Sequence, residues 1–151
     1  MASELEKFIA NQLSEAQSKY TYFLLAVAAS AIALAVQRTT GKTLNWQMIP
    51  LGLAVICWGL SFFSGCRNRA YFSSTLYANA TLLKIQNGSH PEVPNHPEYI
   101  EAASSGVRSA AENNSSGANF WGHMQFHSLV AGAMFFLIWH VIGMLPCIPT
   151  K

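Results

Sequence analysis

The chain has 151 residues, enough for one domain, of which 51% are hydrophobic and 11% charged. Soluble domains average about a quarter charged, so an ordinary aqueous surface is excluded. The net charge of +2 excludes a nucleic-acid footprint, which needs a basic face. Lys, Arg, Asp and Glu are absent from 20–37, from 43–66 and from 113–150. A helix needs roughly 20 apolar residues to cross hydrocarbon. The sequence therefore predicts an all-α integral membrane protein with three long antiparallel helices and the lipid bilayer as its solvent.

Ser3 and Glu6 have the spacing of a capping box, so a first helix is expected to open near the start. Leu5, Phe8, Ile9, Gln12, Leu13 and Ala16 then share one face at spacings of three and four. The stripe runs into the apolar stretch without Gly or Pro, which predicts one helix from about Ala2 to Arg38. Its water-side part is 2–19, its span is 20–37, and Gly41 supplies the stop. The first twenty residues hold Glu4, Glu6 and Glu15 and no apolar run, so the first span is expected to be retained rather than cleaved.

Asn45 is the expected cap of a second helix, with Pro50 tolerated in its first turn. Its span is placed at 46–65, with Trp46 as an interfacial anchor and with Arg67 and Arg69 marking the exit from lipid. Phe72, Leu76, Ala80 and Leu83 carry an apolar stripe onward, so the helix is expected to continue through 66–87 and stop at Asn87-Gly88. Residues 88–97 contain Pro91, Pro94 and Pro97, which predicts an extended, polyproline-like connection. A third helix is expected to start near Glu98. It has a water-side part over 98–118, a kink or break in the Asn- and Ser-rich stretch around Gly117, and a span over 120–145.

Each span thus carries a water-side extension with an apolar stripe, and such stripes need one another. The expectation is a single domain, a bundle in the membrane continued as a helical stalk. Six Lys and Arg fall on the stalk side (Lys7, Lys19, Arg67, Arg69, Lys84, Arg108) against Arg38, Lys42 and Lys151 on the other. That bias predicts a multi-pass inner or plasma membrane protein with a cytoplasmic N-terminus and stalk.

Chemistry is sparse. There is no Asp in the chain and no Glu between Glu15 and Glu92, which removes the carboxylate relays of coupled transporters. Nucleophile elbows, metalloprotease helices and phosphate loops are absent, so no catalytic residue and no resident cofactor is predicted. Cys57, Cys66 and Cys147 form no paired motif and read as small packing residues. His123 and His127 are four apart on one helix face and His140 follows thirteen later. That arrangement sustains an alternative reading, a small redox protein with His-ligated haem or metal. Thirteen helical steps turn His127 and His140 to different faces, which weighs against haem. His90, Glu92, His96 and Glu98 form a second, weaker cluster in the linker.

Small residues recur in all three spans, such as Ala26, Ala28 and Ala29, then Gly52, Ala54 and Gly59, then Ala131, Gly132 and Ala133. They let membrane helices approach closely. The leading expectation is a non-enzymatic, self-assembling membrane subunit. It would act as a pore-forming or membrane-perturbing effector, or as a sensor whose stalk receives a cytoplasmic protein or small molecule. Ser61, Ser64, Asn119, His123 and His127 are the expected pore or mouth lining. The remaining alternative is a scaffold subunit of a larger membrane complex.

Overall fold

The computed structural model describes residues 2–41 and 45–144, with the side chains of 2–7 and 10 left out of description. The Ser3–Glu6 box and Cys147 therefore lie outside what is described. The described residues form an all-α fold of α1 (Ala2–Thr39), α2 (Ile49–Gln86) and α3 (Pro97–Met144), with one short 3-10 turn at Trp46–Met48. All three α-helices contain stretches long and apolar enough to cross a membrane, within Asn11–Thr39, Trp46–Gln86 and Pro97–Met144.

The helix ends follow local chemistry. At the end of α1 the hydroxyls of Thr39 and Thr40 donate to the carbonyls of Ala35 (3.1 Å) and Val36 (3.1 Å). Those carbonyls lie in the last turn, where main-chain partners run out. Gly41 then takes φ +76°, as its place at the stop requires. Asn45 does not cap α2 through its side chain. Its carbonyl accepts from the Met48 amide at 2.9 Å, closing the 3-10 turn ahead of α2. Pro50 sits at the second position of α2, where its missing N–H costs nothing.

α2 ends as predicted at Asn87-Gly88. Gly88 has φ +63°; its amide donates to the Ile85 carbonyl, and the Ser89 amide donates to that of Lys84. This pair of bonds is a Schellman motif. The linker is turned rather than extended. The Val93 amide reaches the His90 carbonyl (3.3 Å) and the His96 amide reaches that of Pro94 (2.7 Å). Local turns satisfy amides that a polyproline helix would leave to water. Pro97 opens α3, with the His96 carbonyl accepting from the Ile100 amide.

The expected kink near Gly117 does not occur, since α3 is continuous. A Cβ at Gly117 would stand 2.9 Å from the Tyr71 ring. This glycine makes room for a neighbour instead of breaking the helix.

Packing divides the chain into two compact units, the first up to Gly65 and from His123 onward, the second Cys66–Gly122. The first unit is an antiparallel three-helix bundle. Ala35, Leu51, Ala54 and Trp58 form its buried apolar cluster, with Leu129, Phe135, Phe136 and Trp139 packed against it. Positions 21, 24, 28 and 35 of α1, 51, 54, 58, 61 and 65 of α2, and 125 and 132 of α3 are buried, with 128, 135 and 139 half-buried. These alternating threes and fours are a coiled-coil seam. The second unit is an antiparallel hairpin, in which Asn68, Ala78 and Ile85 of α2 and Ala111 and Ala118 of α3 are buried. On α1, Phe8 (60% exposed) and Leu13 (66%) leave their stripe uncovered.

Candidate functional site

The first unit turns large apolar side chains outward and buries several polar ones beside its apolar cluster. Phe23 is 64% exposed, Ile56 60% and Leu137 55%, whereas Ser61 is 0% and Gln125 1%. Burial in water works the other way. The largest fully buried side chains among the described residues are Gln125, Ser61 and Ser64.

These residues meet because the seam places them together. The Ser61 hydroxyl donates to the main-chain carbonyl of Gln125 at 2.8 Å. The Gln125 Nε2 donates to the Thr21 carbonyl at 3.5 Å. Gly65 supplies the space: a Cβ there would stand 2.5 Å from Gln125 Nε2 and 2.7 Å from a Leu25 methyl. One helix turn group from each of α1, α2 and α3 is thus tied into one buried polar node. Seven residues further along α3, Gly132 admits Trp58, whose Nε1 would lie 2.5 Å from an added Cβ. Trp58 also packs its ring 5.7 Å from that of Phe136.

The second unit has a smaller version of the same device. Asn68, buried, donates its Nδ2 to the Ala118 carbonyl at 2.6 Å, and Gly122 leaves the room this amide occupies. Arg67 lies with its guanidinium 5.3 Å from the Tyr71 ring centre and 5.7 Å from that of Trp121. Arg69 stands 5.6 Å over Phe72. Both guanidinium groups lie within about 6 Å of aromatic ring centres, a usual setting for guanidinium. An open groove of about 490 Å³ runs between α2 and α3, lined by Ser73, Ser74, Tyr77, Thr81, Val107 and Asn114 among others.

The predicted lining residues do not form one surface. Ser61 and Ser64 are buried within the bundle, while Asn119, His123 and His127 are exposed on α3. His123 and His127 do come together, their ring centres 6.3 Å apart. His140 is separate, exposed beside a cleft of about 320 Å³ with Leu34, Arg38, Phe136 and Trp139. Among the described residues no group of three His, Cys, Asp or Glu is placed to hold a metal, and the linker cluster is no exception. His90 Nδ1 instead lies 3.3 Å from the Glu92 amide. Cys57 is half-buried and Cys66 exposed, both free thiols.

Gln125 is the buried polar residue of the node that the sequence reading missed. Its signal was present: an isolated amide between Met124 and Phe126 in a charge-free run has to find a partner inside the bundle. No family model, curated protein or solved structure matches the chain.

Proposed function

We propose that this chain is a three-span integral membrane protein, non-enzymatic and self-assembling. It serves as an effector or sensor subunit whose water-side helices receive a signal or partner to which the membrane bundle responds. The observation that carries this reading is the apolar exterior of the first unit, with large apolar side chains outward while Ser61, Ser64 and Gln125 are buried beside the apolar seam. In hydrocarbon, apolar side chains gain nothing by being hidden from solvent. Close packing of small residues and interhelical hydrogen bonds hold such bundles together.

Self-assembly follows from the same surface. Gly52 and Gly59 face open space on α2, where a neighbouring helix can approach the backbone. Because the Ser61 hydroxyl and the Gln125 amide nitrogen are already used within the tightly packed seam, we read a single copy as offering no polar path along its axis. A pore would therefore form between copies. The hydroxyl-lined groove between α2 and α3 is the proposed receiving surface on the cytoplasmic side, in line with the Lys and Arg bias.

The test is purification in mild detergent with mass measured by light scattering, followed by dye-release from liposomes. The expected result is a defined species larger than one chain. A monomer that leaves liposomes tight rejects the assembly and pore readings together.

A further inference from the structure

His123 and His127 are two imidazoles on an exposed face of α3 that the proposed assembly has not used. Their neighbours Met124, Phe126 and Val130 are exposed apolar side chains, so these rings stand in an apolar surface, where unpartnered polar groups are costly. His127 is not free to turn. Its Nδ1 lies 2.7 Å from the His123 main-chain carbonyl, and its ring meets that of Phe126 edge-on at 5.9 Å.

A carbonyl oxygen only accepts, so Nδ1 carries the hydrogen and the neutral ring keeps its lone pair on Nε2. Metal-binding histidines are set in this way, with one nitrogen tied to a carbonyl and the other aimed outward. Two histidines at i and i+4 on a helix can share one ion. Zn–N bonds of about 2.0–2.1 Å in tetrahedral geometry bring imidazole centres to about 5 Å. Rotation of the His123 side chain closes the present 6.3 Å to that, with His127 held in place.

The geometry points to a zinc-class divalent cation site formed by His123 and His127 of one chain and the same pair of a second copy. Zinc takes four ligands, and among the described residues none completes the set within one chain. A two-fold axis passing beside α3 supplies the missing pair without any new residue type. This inference rests on the self-assembly reading, since the second copy is part of the site. His140, on the Arg38 side of α3, is outside it.

The experiment uses untagged full-length protein in mild detergent, with Cys57, Cys66 and Cys147 changed to Ser so that thiols do not compete. Zinc is titrated against a chromophoric chelator, and mass is followed with and without the ion. The expected result is one zinc per two chains. H123A and H127A each weaken binding by roughly tenfold or more, while H140A leaves it unchanged. One zinc per monomer, or binding that survives the H123A/H127A double variant, overturns the site. Oligomers that persist without zinc while zinc fails to bind remove this site and leave the proposed assembly standing. A monomer in every condition removes both.

Discussion

At the scale of single residues, the glycines of the seam are seats for specific side chains. A Cβ at Gly132 meets the Trp58 indole at 2.5 Å, so Gly132→Val is expected to cost about 1–3 kcal/mol through overpacking. A fall in the thermal midpoint, read by Trp fluorescence in detergent, checks this. Gln125 separates two effects. Gln125→Leu keeps volume and loses one interhelical bond, worth about 0.6 kcal/mol on average inside membranes. Gln125→Ala also opens a cavity and is expected to cost about 2 kcal/mol or more. Equal losses for the two variants would show that the bond, not the volume, dominates.

At the scale of elements, much was legible because helix ends are local events. Gly41 and Asn87-Gly88 stop their helices by adopting positive φ, and nothing distant is needed to read that. The continuity of α3 was not legible, because Gly117 breaks or packs according to what lies opposite it. Tyr71, forty-six positions away by the numbering, decides the matter. The linker was misread for a similar reason: its prolines favour extension, but backbone turns at His90 and Pro94 take up its amides. The candidate site was half legible. The pairing of His123 with His127 is a matter of helical period, whereas the burial of Ser61 and Ser64 away from Asn119 depends on which face each helix turns inward. Two glycines of contrasting role test the distinction in the second unit. Gly88→Ala forces a left-handed residue and is expected to cost about 1–2 kcal/mol. Gly106 has open space around its Cβ position, so Gly106→Ala is expected to stabilise the helix by about 0.5–1 kcal/mol. Thermal melts followed by circular dichroism give both signs.

At the scale of the whole molecule, the proposed three spans place the two ends of the chain on opposite sides of the membrane. Reporter fusions are expected to show a cytoplasmic N-terminus, since six of nine Lys and Arg flank the proposed stalk side. A periplasmic or external N-terminal reporter would invert the reading of the stalk. Filling the groove between α2 and α3 with Ala110→Trp is expected to block a water-side partner while leaving the mass of the assembly unchanged. That separates reception from oligomerisation.

The node of Thr21, Ser61 and Gln125 limits how such a bundle can respond. Sliding one helix past another by a turn would pull the Gln125 amide from the Thr21 carbonyl and the Ser61 hydroxyl from its acceptor. In hydrocarbon neither group would find a substitute. In the proposed membrane setting the node therefore acts as a light clutch that opposes piston-like strokes without locking the helices. If the proposed subunit transmits movement, rocking or rotation of the three helices as a body, or a change in how whole copies meet, keeps these bonds intact.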